Sequence, residues 1–312
     1  MSLFVQQFAL SVPLFGLILL GYGLIRWAGW PRTLGEALTR FVFSIALPAM
    51  LFRLMAGFAG HPPVDARLLL AFFGGCLLVF ALARLVAWRV FGLDGSAQTV
   101  FAMGAIFSNN LLLGVPVAQA TLGERALTPV ALVIVFNSLI LWTLATVSIE
   151  WARSGRPDWS GLRRTLAGVL RNPLIAAILA GTVFGLTGLE LPHLVDDPLA
   201  RLAQTATPMA LVALGMGLAE YGIGAQWRLS GAIAALKLVV LPLVVWGLAW
   251  AIALPPLETR VVVLLGSMAS GANVYLMSRR FGTLEGATAS SLVLSTAGAA
   301  LTTPVFLTLL RG

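Results

Sequence analysis

Long apolar stretches, separated by charged, Gly/Pro or Trp-bearing breaks, divide this chain into ten runs. They lie at about 5–26, 36–56, 67–88, 98–121, 127–149, 172–190, 200–221, 229–254, 259–280 and 287–309. A helix needs about 20 apolar residues to cross a bilayer, and each run is near that length. Outer-membrane barrel strands would alternate with period two over about ten residues. The stretch Leu174 to Val183 shows no such alternation. A lone helix satisfies its own backbone in lipid, so continuous apolar runs favour helices. The pattern predicts an all-α integral membrane protein with ten transmembrane helices.

Composition narrows the class further. Of 312 residues, 59% are hydrophobic and only 10% are charged. Soluble domains carry about 25% charged residues, so this chain cannot coat a soluble globule of its size. That excludes a soluble enzyme, a nucleic-acid-binding domain, a disordered chain and a secreted disulfide scaffold. The single cysteine, Cys76, can make no internal disulfide. The net charge of +8 sorts by side. With the termini on one side of the bilayer, the opposite side holds 13 arginines against 6, and Lys237 is left inside a span. The positive-inside bias makes the richer side cytoplasmic and places both termini outside an inner (plasma) membrane. The basic excess thus points to a lipid bilayer and to no nucleic-acid partner. No Lys or Arg occurs from Met1 to Ile25, so the first run is not expected to be a cleavable signal peptide.

The segment Glu150 to Arg171 carries Gly155, Pro157, Gly161 and five arginines, and splits the runs five and five. It predicts a first five-helix unit over 1–150, a cytoplasmic linker over 151–171 and a second unit over 172–312. The halves echo each other. SIALPAMLFRLMAG with Pro48 in the second run matches QTATPMALVALGMG with Pro208 in the seventh. SNNLLLGVP (Ser108 to Pro116) in the fourth matches SMASGANVY (Ser267 to Tyr275) in the ninth. Five is odd, so a duplicated half inserts upside down. Inverted repeats with a midplane site at broken helices are the architecture of many secondary transporters.

Polar residues within the runs are the candidate chemistry. Asn109 and Asn110 stand side by side, followed by Gly114 and Pro116. Pro116 removes a backbone donor and crowds the Leu112 carbonyl, and Gly114 loosens the same turn. Together they predict an interruption just after the asparagines. Half-helix ends expose N–H groups with partial positive charge, which beside amide donors can hold a carboxylate. In the ninth run Gly271 is the candidate break, with Ser270, Asn273 and Tyr275 as binding residues facing Asn109 and Asn110. The alternative is that these amides only join helices. Asn137 stands either on the cavity or between helices. Lys237 either snorkels to the interface or supplies a counter-charge. Gln204 and Thr207 are placed to rescue backbone groups freed by Pro208. Arg53, near a span end, suits an interfacial anchor.

What is missing also bears on function. All twelve acids fall at run ends or in loops, so no carboxylate stands at mid-depth for a proton or Na⁺. His61 and His193 lie beside prolines outside the runs, which argues against an intramembrane metal site. No phosphate-binding Gly-Lys loop and no nucleophile–base cluster is present, so neither an enzyme nor a cofactor is expected.

The ALP of Ala46 to Pro48, SNNLLLGVP, the ATP of Ala206 to Pro208 and GANVYLMSRRFG (Gly271 to Gly282) resemble the auxin efflux carrier family. The likeness is to its short bacterial permease form, within the bile/arsenite/riboflavin transporter superfamily, and it covers nearly the whole chain. It implies two inverted five-helix repeats with broken helices 4 and 9 crossing at mid-bilayer. It further implies a scaffold of spans one, two, six and seven holding a moving domain, often in a homodimer, and transport of organic anions. Asn109, Gly114, Pro116 and Asn273 match the family's motif positions. Leu111 stands where the family commonly has Gly, and Ala269 where it commonly has Pro, so the second break rests on Gly271. The expected function is a secondary carrier, a permease or efflux carrier, for a small organic anion such as a carboxylate. The alternatives are a Na⁺- or H⁺-coupled symporter and a non-transporting membrane receptor.

Overall fold

A computed structural model of the chain describes residues 3–57, 64–154, 173–221 and 226–310. Most of the linker, including Gly155, Pro157 and Gly161, lies outside the described residues, as does His61. Twelve helices account for the ten runs: α1 Leu3–Arg26, α2 Arg32–Ala56, α3 Arg67–Arg89, α4 Gly95–Ile106, α5 Asn110–Leu122, α6 Leu127–Ser154, α7 Pro173–Leu186, α8 His193–Leu218, α9 Trp227–Ala251, α10 Pro256–Ser267, α11 Ala272–Phe281 and α12 Glu285–Leu309. The fourth run is α4 and α5, and the ninth is α10 and α11. Among the described residues there is no strand beyond one isolated bridge, Ser108 with Ser270.

Five helices are long and apolar enough to cross a bilayer unaided: α2, α3, α6, α9 and α12. The half-helices α4 and α10 have 12 residues each, short of the roughly 20 a span requires. Each therefore needs its partner half to complete a crossing.

Helices α1, α2, α7 and α8 pack chiefly on one another: α1 on α8, α2 on α7 and on α8. The α1–α8 crossing is backbone to backbone. A Cβ at Gly21 would collide with the Val212 carbonyl, and one at Gly215 with the Ile18 carbonyl. Helices α3, α4, α9, α10 and α12 form the second packed group, with α6 on α4. Its core holds Phe72, Phe101, Met103, Val262 and Leu264, all fully buried.

Three helices widen for one turn: α2 at Val42–Ala46, α5 at Asn110–Gly114 and α9 at Leu236–Val240. In each, the residue after the wide turn donates five residues back, and a proline follows it directly: Pro48, Pro116 and Pro242. A proline lacks an N–H and crowds the carbonyl four back, and an i→i+5 turn relieves that crowding without ending the helix. Pro208 has no such turn. Its match with Pro48 in sequence is thus not a match in local geometry.

Candidate functional site

The two interruptions meet. Helix α4 ends when Phe107 turns extended (φ −79°, ψ 97°), and α10 ends when Met268 does the same (φ −65°, ψ 156°). The connecting segments run antiparallel. Asn109 N–H donates to the Ala269 carbonyl at 2.8 Å, and Gly271 N–H to the Phe107 carbonyl at 2.8 Å. The interruption therefore runs from Phe107 to Asn109 and ends at the asparagines rather than following them. Pro116 only widens the turn, and the break is held by backbone pairing with the other half.

The second break forms without a proline. Gly271 is extended (φ −80°, ψ 147°), and a Cβ there would stand 3.2 Å from Phe107 Cδ1 and 3.3 Å from the Ser108 carbonyl. Glycine is favoured here by close approach, not by backbone freedom. At Gly114 a Cβ would lie 2.9 Å from Leu265 Cδ2, a flexible side-chain end.

Broken helices leave carbonyls without intrahelical donors at their C-terminal ends. At α4, Ser270 Oγ donates to the Gly104 carbonyl at 2.9 Å and Cys76 Sγ approaches the Ile106 carbonyl at 4.0 Å. At α10, Lys237 Nζ donates to the Gly266 carbonyl at 2.6 Å and Thr303 Oγ1 to the Ser267 carbonyl at 3.4 Å. Lys237 is completely buried, so it does not snorkel; its amino group sits on the C-terminal end of a half-helix. Ser270 is also committed through its N–H, which donates to Ser295 Oγ at 3.0 Å. Its hydroxyl serves α4 and is not a free ligand group.

The N-terminal ends differ. Asn109 Oδ1 caps α5 by accepting from Leu112 N–H at 3.3 Å. Asn110 Nδ2 reaches Asn137 Oδ1 at 3.5 Å, which places Asn137 at the crossing. Ser108 Oγ and Asn110 Oδ1 are buried with no hydrogen-bond partner among the described residues. At α11 no side chain caps the N-terminus among the described residues. Ala272 is exposed and Asn273 half-buried, so this end is open. No hydrogen bond joins Asn273 to Asn109 or Asn110 among the described residues. Tyr275, one turn on, packs edge-to-face on Tyr221 at 4.8 Å between ring centroids. Burial pushes the Tyr221 phenol, in the loop after α8, up to about 12, so it remains a neutral hydroxyl.

Two further expectations change. Thr207 Oγ1 donates to Gln119 Oε1 at 3.1 Å, tying α8 to α5 instead of rescuing the backbone near Pro208. Arg53 is no lone anchor; it forms a two-pronged pair with Asp196 of α8. Sequence reasoning also missed Pro242, Gly266, Ser295 and Thr303, since their roles depend on where the breaks fall. No group of three or more His, Cys, Asp or Glu gathers among the described residues.

The profile of the Mem_trans family, described as "Membrane transport protein", matches residues 8–307. A Rhizobium meliloti protein named "Putative malonate transporter" is 27% identical over 97% of this chain and 95% of its own length. "Auxin efflux carrier component 2" of Arabidopsis thaliana is 26% identical over 46% of this chain and 22% of that protein. "Uncharacterized transporter YfdV" of Escherichia coli is 22% identical over 95% of both chains. With nearly its whole length matched, the chain belongs to the Mem_trans family of multi-pass membrane transport proteins, the auxin efflux carrier family, and is a transporter and not an enzyme.

Proposed function

We propose that the protein is a secondary carrier for a small organic anion, a mono- or dicarboxylate, held at the crossing of the two broken helices. The observation that supports this most is the open, uncapped N-terminus of α11 beside Asn273. Backbone N–H groups at a helix N-terminus carry partial positive charge and suit an anion. Asn109 keeps its NH₂ group uncommitted, and the Lys237 amine holds the Gly266 carbonyl behind the site. The relative named for malonate is consistent with a dicarboxylate.

In this reading residues 1–150 and 172–312 are inverted five-helix repeats joined by the 151–171 linker, and both termini are extracytoplasmic. Alternating access comes from movement of the broken-helix group against α1, α2, α7 and α8, in a homodimer as the family likeness implies. An interior-negative potential drives anion exit by about 2.3 kcal/mol per charge per 100 mV, so export needs no coupling carboxylate.

A coupled symport reading has one observation in its favour. The orphan oxygens Ser108 Oγ and Asn110 Oδ1 are the kind of hard donors that Na⁺ takes. Proteoliposome flux of labelled malonate decides both points. Wild-type flux abolished by Asn273→Ala, with expression and folding intact, supports the anion site; unchanged flux in that variant rejects it. Flux that requires a Na⁺ gradient selects the symport reading over uniport.

A further inference from the structure

A polar cavity opens away from the crossing. Its volume is about 740 Å³, and it lies between the C-terminal end of α2, the end of α5 and the N-terminal half of α8. That size fits a small organic ligand. Its inner wall includes Gln119, nine residues along the half-helix that Asn110 begins, or about 13 Å at 1.5 Å per residue. The cavity and the crossing therefore lie at two ends of one rod.

Arg53 is the strongest donor in the cavity. Its Nε and Nη2 hold Asp196 Oδ1 and Oδ2 at 2.5 and 3.0 Å, a two-pronged carboxylate grip. Both side chains reach solvent, with 44% of Arg53 and 25% of Asp196 exposed. Exposed pairs of this kind contribute little net stability, so a competing carboxylate can replace one partner cheaply. Asp196 would then turn to water, and no charge is left buried and alone. The neutral amides of Gln119 and Gln204 border the same space. Gln119 accepts from Thr207 through its oxygen, which leaves its NH₂ group uncommitted.

We propose that this cavity is an antechamber for the transported anion, in which the Arg53 guanidinium takes a ligand carboxylate in exchange for Asp196, and Gln119 and Gln204 hold the rest of the ligand. Asp196 is then a built-in competitor that keeps the guanidinium fork aligned when no ligand is present. A guanidinium fork matches a carboxylate in plane and spacing, which selects carboxylates over spherical anions. The proposal rests on the organic-anion reading but concerns a different station, so the two can fail separately.

Opposite signs at the two partners test it. Malonate binding is measured by calorimetry on purified full-length protein, with chloride and acetate as controls. Arg53→Gln is expected to weaken malonate binding on the order of tenfold, the loss of one charge-assisted contact. Asp196→Asn is expected to tighten it about threefold, because a competitor is gone. If the pair is only a strut between α2 and α8, both variants weaken binding or neither changes it, and the antechamber is rejected. Should Arg53→Gln fail to fold, the sign of the Asp196→Asn change decides alone. Asn273→Ala separates the two stations: malonate binding kept with flux lost supports both, whereas binding kept with flux unchanged upholds the antechamber and rejects the crossing site.

Discussion

The α4/α5 break and the α10/α11 break are built alike and finished differently. In the first, the side chains that meet the exposed backbone ends are neutral. Cys76 and Ser270 face the α4 carbonyls, and Asn109 caps α5 with its own side chain. Phe107, Ser108, Asn109 and Asn110 are all buried. In the second, the Lys237 amine holds the C-terminal end, and the N-terminal end has no side-chain cap among the described residues and is open. Cys76 on α3 stands behind the C-terminal end of α4, and Lys237 on α9 behind that of α10. One half thus provides a closed, neutral abutment and the other a polarised one. An anion gains from the second, because a helix N-terminus with nothing on it retains its partial positive charge.

Exchanging the special groups tests that contrast. Lys237→Met keeps the stem and removes the amine that holds the Gly266 carbonyl. We expect carboxylate flux to drop on the order of a hundredfold, as for loss of a preorganised donor at a dry site. Cys76→Ser, the counterpart in the neutral half, should change flux by less than about twofold, since a donor is kept. Equal effects of the two would erase the distinction between the halves. Proteoliposome uptake is the readout.

Gly271→Ala comes next. The added methyl presses on Phe107 and on the Ser108 carbonyl, where backbone cannot yield as a side chain can. A loss of about 2 kcal/mol in unfolding stability is expected, in the overpacking range. Gly114→Ala meets only the tip of Leu265, and about 1 kcal/mol or less should follow. Thermal unfolding in detergent ranks the two.

The asparagines separate the breaks by a third route. Asn109→Ala removes a helix cap and should cost about 1 kcal/mol of stability. Asn273 caps nothing, so Asn273→Ala should leave the melting temperature unchanged while reducing flux. A stability loss at Asn273 matching that at Asn109 would show a capping role at both ends.

The smallest effect is expected at Ala269→Pro. Met268 is already extended, as a residue before proline prefers, and the Ala269 carbonyl that accepts from Asn109 is retained. A gain of about 0.4–1 kcal/mol from the stiffer unfolded chain is expected. A marked loss would mean that this break needs the freedom that alanine leaves it.

Much of this was legible in the residues, for identifiable reasons. Apolar runs near 20 residues marked the helices because hydropathy and helix length are local, additive properties. The amide pair beside Gly114 and Pro116 marked the right span, because buried amides and a mid-span proline are costly wherever the chain goes. The same residues misplaced the break by a few positions. Pro116 can be relieved either by ending the helix or by widening one turn, and local sequence does not choose between them. The choice fell to the backbone pairing of Asn109 with Ala269 and of Phe107 with Gly271, residues 160 or more positions apart. Lys237 shows the same limit. Its stem is long enough for the interface or for the core, and only the Gly266 carbonyl, left unpaired by a break in another helix, fixes its direction.

Sequence alone determined the all-helical membrane class and the spans that carry polar groups, since burial in lipid charges each residue by its own chemistry. Tertiary structure alone decided where the helices part, which end is met by a serine and a cysteine and which by a lysine, and that Arg53 pairs with Asp196 at the wall of a cavity. Those features are pairings between distant segments, and an unpaired backbone group exerts no preference for a partner until folding brings one within hydrogen-bond reach.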